Sequence, residues 1–284
     1  TKTYIWPSFD LKMYKDLFAR IPSRNLLFMN SSVKKEHEIF FKLNFTEAAI
    51  VPLIVDIPEE YSMRPVVNKN KIVSIGRLVY FKNYITPLIN IVSSLNKKGY
   101  VFEFHIYGDG EMYTELKSLI ESNNAGSFIF LHGSMNYGDF NGAVSDALLF
   151  AGMGTSVIES SARGVPSLLA IESRHDDATY GWFFDQQGYE VGEQMPGLAT
   201  HSYEQYILEA YHASAEEYEI LCEKSWKKSL QFSRSAVMKK YYNFLSNANR
   251  DFTYLLPVWK KKFLKIMRQP LKMKFLVHKD YRGR

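Results

Sequence analysis

The amino-acid sequence predicts an α/β fold built on a doubly wound parallel sheet, Rossmann-like in plan. Three observations carry that reading. Short apolar runs alternate with amphipathic stretches of helical period from residue 71 to residue 171, the runs are too continuously apolar for strands wet on one face, and glycines stand where strand gives way to helix. With 284 residues, 46% of them hydrophobic, the chain is long enough to bury one large core or two modest ones.

The elements follow in order. Residues 9–20 carry Leu11, Tyr14, Leu17 and Phe18 at helical spacing. Residues 25–30 read as a buried strand, Ser31 or Ser32 as a helix cap, 33–43 as an amphipathic helix and 48–55 as a second strand, together one β-α-β piece. Residues 56–71 read as a linker. A strand over 71–76 then delivers Arg77 and Lys82 to its carboxyl end, ahead of a helix over 84–97. A strand over 102–107 leads through Gly108-Asp-Gly110 into a helix over 111–122. After a strand over 127–131 comes the loop His132-Gly-Ser-Met135-Asn-Tyr137, then a short helix over 139–145. Residues 202–232 read as two helices with Cys222 and Trp226 on one face, and 235–245 as a third.

The stretch 146–171 changes period twice within one β-loop-α-β unit. Its apolar strand ends at Ala151, Gly152-Met-Gly154 allows a tight turn, and Thr155 or Ser156 can cap a helix that Gly164 and Pro166 bring to a stop. A glycine turn opening a helix presents unpaired amides at the positive end of the helix dipole, which suits a phosphate or diphosphate. Glu159, in the first turn, then has two readings: a carboxylate that takes the hydroxyls of a ribose, or the return arm of a Ser156-x-x-Glu159 capping box. Arg77 and Lys82 likewise read either as a solvated loop or as a planar fork and a point charge on a diphosphate. Gly108 and Gly110 serve either a tight turn or a close backbone approach to a nucleotide, and the full dinucleotide fingerprint is absent because Tyr113 stands where its third glycine belongs. That disfavours a dehydrogenase or epimerase. The run His175-Asp-Asp177 reads as a loop, since contiguous residues seldom converge on one ion.

Gly152-Met-Gly154-Thr-Ser-Val-Ile-Glu159-Ser-Ser-Ala-Arg-Gly164-Val-Pro166 resembles the donor-site signature of retaining GT-B glycosyltransferases of the bacterial surface-polysaccharide type. The resemblance covers roughly residues 71–245 and implies the C-terminal, donor-binding domain of that fold. It implies that Glu159 meets the ribose, that Gly152, Gly154, Thr155 and Ser156 face the donor, that Gly76-Arg77 and Lys82 bind the diphosphate and stabilise its departure, that Gly108 and Gly110 lie beside the nucleotide, and that the loop at Met135 touches the base. In that family two glutamates flank the glycine turn, separated by seven residues. The first falls here on Ala151, a departure that removes a contact to the donor sugar. The resemblance further implies transfer from a nucleotide diphosphate sugar to a cell-surface glycan or lipid-linked acceptor, with no metal and no cofactor. Arg174 or Tyr180 is placed toward the sugar by sequence position. The missing glutamate favours a second reading, a non-catalytic nucleotide-sugar-binding or assembly subunit.

The domains expected are a partial acceptor-side domain over 1–58, a donor-binding domain over 59–234, and a crossing helix with a basic tail over 235–284. The chain starts at Thr1 and reads as a fragment that binds its donor but transfers poorly alone. One cysteine, Cys222, fits a reducing cytoplasm and a packed thiol. Formal net charge is +5, yet residues 257–284 hold seven Lys, three Arg and one Asp, a net of +9 that leaves −4 elsewhere. Nucleic acid is therefore not an expected partner. The tail, with Trp259, Phe263, Ile266 and Met267 on one helical face, is expected to lie on an anionic inner-membrane surface.

Overall fold

In the computed structural model, which describes residues 11–58, 60–62 and 67–248, the apolar runs become one six-stranded sheet. Its strands are β3 (Asn68–Ile75), β4 (Glu103–Tyr107), β5 (Ile129–Gly133), β6 (Ala147–Gly152), β7 (Ser167–Ala170) and β8 (Thr179–Trp182), preceded by β1 (Leu27–Phe28) and β2 (Ala49–Ile50) in a separate pair. The order is β5-β4-β3-β6-β7-β8, all parallel except β8, which runs antiparallel to β7. The chain thus builds outward from β3 in one direction, returns, and builds outward from β6 in the other. The crevice between the carboxyl ends of β3 and β6 is the switch point where open α/β sheets bind ligands.

Helices cover both faces. On one, α3 (Ile85–Lys97), α4 (Tyr113–Ser122), α7 (Tyr203–His212) and α8 (Ala215–Ser229) enclose Ile72, Phe104, Ile106, Leu149 and Leu168, with the Cys222 thiol fully buried among them. On the other, α5 (Phe140–Val144) and α6 (Thr155–Ala162) pack Phe140, Val144, Val157 and Ile158 on Val73, Phe150 and Leu169. β6 is buried at all six positions, as a strand between two helical layers must be. Tyr218 from α8 donates its hydroxyl to the Leu148 carbonyl at 2.5 Å, pinning that layer to the central strand.

Several boundaries differ from the sequence reading. The first unit is smaller: β1 and β2 are two residues each and Leu27 is exposed, because its core is a small cluster around Phe28, Val33, Phe45 and Ala48, with Phe18 of α1 (Leu11–Arg20) packed on it. Asn30, not Ser31 or Ser32, caps α2 (Ser31–Phe41), its Oδ1 accepting from the Val33 amide at 2.8 Å. Residues 68–71 belong to β3 rather than to a linker, and Lys71 there pairs with Asp146 at 2.6 Å. Residues 55–58 lie along the C-terminal helical segment: the Val55 amide donates to the Phe232 carbonyl, and Trp226 Nε1 to the Pro58 carbonyl. α9 (Arg234–Asn247) returns to the first unit, where Lys240 and Phe244 share a groove with Arg24, Glu47 and Ala49. No helix among the described residues is long and apolar enough to cross a membrane. The basic segment 257–284 lies outside the described residues.

Candidate donor site

The turn after β6 is built by Gly154, whose φ of 76° suits glycine and which stands at the N-cap of α6. No side chain caps this helix. Ser156 Oγ donates instead to the Met153 carbonyl at 3.2 Å, so neither Thr155 nor Ser156 is the cap and no Ser156–Glu159 capping box forms. The local reason is that Gly154 places Thr155 and Ser156 already inside the first turn, where their amides have no intrahelical acceptor. The Gly154 amide itself is committed to the Val191 carbonyl at 2.6 Å. At the far end the Gly164 amide bonds Ser161 and the Val165 amide bonds Ser160, a Schellman closure with Gly164 at φ 69°.

Glu159 is left without its expected local partner. It is 8% exposed, and its Oε2 has no hydrogen-bond partner in the structure. Burial raises its pKa above the ordinary carboxylate range; the Arg163 charge and the Tyr137 hydroxyl pull the other way, and Asp56 adds to the rise. Arg163 is held over the Phe140 ring and donates to the Glu159 carbonyl at 2.7 Å.

Across the switch point, Lys82 lies beside the turn: a Cβ added to Gly154 would be 3.8 Å from Lys82 Nζ. Burial lowers the Lys82 pKa from 10.5, and the Arg77 charge lowers it further, so two cations share this edge. Both cationic centres approach the Phe81 ring, each 5.9 Å from its centroid. The loop that carries them is laid on the next loop: the Gly76 amide bonds Tyr107, the Leu78 amide bonds Asp109, and the Met112 amide bonds Leu78. A Cβ on Gly108 would overlap the Gly76 carbonyl oxygen, and one on Gly110 the Leu78 carbonyl oxygen. These glycines therefore serve the tight packing of two loops, and the close approach is to Gly76 and Leu78.

Met135 lines an open cleft of about 630 Å³ with Tyr107, His132, Ser134, Asn136 and Asp139. His132 stacks on Tyr107 at 4.2 Å between ring centroids, with 11° between the planes, and forms one wall. Tyr137 closes the loop read from the sequence but was given no role there, and Tyr107 and Val191 are joined to the site only by folding. Ala151 is wholly buried and in register with Leu168 of β7. Arg174 forms an exposed ion pair with Asp176, and the Tyr180 hydroxyl accepts from the Met195 amide at 2.7 Å. His175 meets Asn83, and Asp177 accepts from the Tyr203 amide at the start of α7. Among the described residues no group of three or more His, Cys, Asp or Glu is arranged to hold a metal ion.

Both turns of this site fall inside one matching segment. Residues 61–171 match the family model described as Glycosyl transferases group 1. The segment runs from just before β3 to just past β7 and so contains the whole switch point. No curated protein matches in sequence. Solved structures do match: S. aureus TarM, a mutant in complex with fondaparinux, alpha-GlcNAc-glycerol and UDP, superposes with a TM-score of 0.54 at 18% identity over 84% of this chain and 48% of that one. Anabaena HepE in complex with UDP and glucose gives 0.60 at 15% identity over 85% and 69%, and a glycosyltransferase from Rickettsia africae gives 0.62 at 13% over 84% and 68%. These neighbours are GT-B glycosyltransferases, and the likeness is one of fold. The chain spans about half the length of TarM.

Proposed function

We propose that this chain carries the donor site of a glycosyltransferase that moves a sugar from a nucleotide diphosphate sugar to a cell-surface glycan or lipid-linked acceptor. The observation that carries the proposal is the unpartnered, buried Oε2 of Glu159 in α6, past the first turn of a helix whose Thr155 and Ser156 amides have no intrahelical acceptor and whose start faces Lys82. A ribose hydroxyl would satisfy that oxygen, the diphosphate would take the amides with Lys82 and Arg77, and the base would enter the cleft at Met135. Gly76, Gly108 and Gly110 would keep the cation loop in register, and Gly152 and Gly154 would shape the turn. As the sugar–phosphate bond breaks, negative charge grows on the leaving diphosphate. Fixed amides and two cations stabilise that charge without reorganising, with no base or metal required of the protein. Retention of configuration follows from the likeness of residues 152–166 to retaining enzymes. The domain division at residues 58 and 234, a cytoplasmic location, and contact of residues 257–284 with an anionic membrane belong to the same proposal.

Ala151 favours a second reading, a subunit that binds the nucleotide sugar without turning it over. The deciding experiment incubates the full chain with nucleotide sugars of each common base, with and without glycan acceptors. Release of nucleoside diphosphate coupled to acceptor modification is the expected result. Saturable binding without release would establish the subunit, and failure to bind any nucleoside diphosphate would remove the site.

A further inference from the structure

The loop between β8 and α7 holds two buried acids, Glu190 and Glu193, that donor binding does not use. We infer that Glu193 and Asn30 are positioning residues for the α6 anion turn, and that they tie its geometry to the N-terminus of α2. This rests on the donor-site reading and adds to it a dependence on the first unit.

The atoms form an unbroken path. Asn30 Oδ1 accepts from the Val33 amide at 2.8 Å, and its Nδ2 donates to Glu193 Oε1 at 2.8 Å. The second oxygen, Oε2, accepts from the Val191 amide at 2.8 Å, and the Val191 carbonyl accepts from the Gly154 amide at 2.6 Å. Asn30 has one workable orientation, because turning its amide over would set Oδ1 against a carboxylate and Nδ2 against an N–H. Asn30 is fully buried and Glu193 nearly so, so a lost link would leave buried polar atoms unsatisfied.

Neighbouring contacts keep the path taut. Glu190 Oε1 accepts from the Ser31 and Ser32 amides at 3.2 Å each, a carboxylate at the positive end of α2. The buried Lys228 ammonium donates to the carbonyls of Gln186 and Gly188 at 2.7 and 2.9 Å, fixing the start of the loop to α8. Gly192 packs closely on the β6 turn and β7, since a Cβ there would come within 2.6 Å of Met153 Cβ and 2.7 Å of the Ala170 carbonyl oxygen. A displacement of α2 therefore moves Asn30, turns Glu193, and tilts the Val191 peptide that holds Gly154. Thr155 and Ser156, the amides an anion would use, follow directly in the chain. Since coupling is reciprocal, a diphosphate seated on that turn should steady the start of α2.

The test is amide hydrogen exchange on the full chain with and without UDP, joined to calorimetry of UDP and uridine on the wild type and on Asn30→Asp. UDP is expected to slow exchange at residues 31–34 as well as 152–159, and uridine to leave 31–34 unchanged. Asn30→Asp sets a carboxylate against Glu193 and is expected to weaken UDP about five-fold or more while sparing uridine. UDP that binds and slows 152–159 with no effect at 31–34 overturns the inference, as does an equal loss of UDP and uridine in the variant. Should the variant fail to fold, the wild-type exchange comparison decides. A wild type that binds no UDP defeats the donor-site reading itself, and this inference with it.

Discussion

Glu159→Gln separates binding from folding because the two effects should carry opposite signs. The carboxylate is 8% exposed with one oxygen unpartnered, so in the free protein its charge is a cost that glutamine removes. Burial raises the folded-state pKa, and an acid raised in this way contributes stability that is present below the unfolded value and lost as pH rises through the folded one. The variant should therefore melt no lower than the wild type at pH 7, and its melting temperature should lose the fall that the wild type shows just above the ordinary glutamate range. Nucleotide binding should move the other way. A hydrogen bond from a ribose hydroxyl to a buried carboxylate is worth about 1.5–3 kcal/mol, or roughly 10- to 150-fold in Kd. Uridine and UDP share the ribose and should weaken alike, and the preference for UDP over its 2′-deoxy analogue should shrink. Calorimetry against both ligands, with thermal melts from pH 4 to 8, checks all of this. A lower melting temperature at pH 7 with unchanged affinity for both ligands would refute the reasoning and return Glu159 to a structural role.

Lys82 has its pKa lowered by burial and by Arg77, so UDP affinity should fall as pH rises at a lower pH than an ordinary lysine would give. Lys82→Arg should hold affinity to higher pH, and an identical pH profile in the variant would exclude Lys82 as the titrating group. Gly108→Ala drives a methyl group into the Gly76 carbonyl at a φ of 152° and should cost roughly 3 kcal/mol or more in urea denaturation, with UDP binding impaired in whatever folds. Ala151→Glu, which installs the first glutamate of the signature that residues 152–166 resemble, places a carboxylate at a position with no exposure; the expected loss is roughly 3–5 kcal/mol unless a partner forms, and a gain in turnover without that loss would show that the strand end can open.

The strands that position the site were legible because β3, β4, β5 and β6 each run into or end on a glycine and β7 follows Pro166, a pattern that local chemistry alone dictates. β8 was not legible. Its four residues, Thr179-Tyr-Gly-Trp182, contain a glycine and follow a charged run, and the strand exists because Thr179 bridges His201 while Trp182 registers with Leu168. The site divides in the same way. Arg77, Lys82 and the Gly154 turn are named by their place at strand ends, whereas Glu159 had two local readings that only the true helix start could separate. Asn30 and Glu193 touch across a separation of 163 residues, which no spacing rule can see.

β1 and β2 are joined at two register pairs only, while β6 is enclosed along its whole length between β3 and β7. The free energy of local opening should accordingly rise steeply along the chain, lowest in the first unit and close to the global value at the switch point. Brief protease treatment should nick the first unit before any bond between residues 67 and 248, and cleavage inside β3–β7 at the same rate would contradict this gradient. The Asn30–Glu193 bond joins these two regimes, so each opening of the first unit would be felt at the α6 turn through that one buried link.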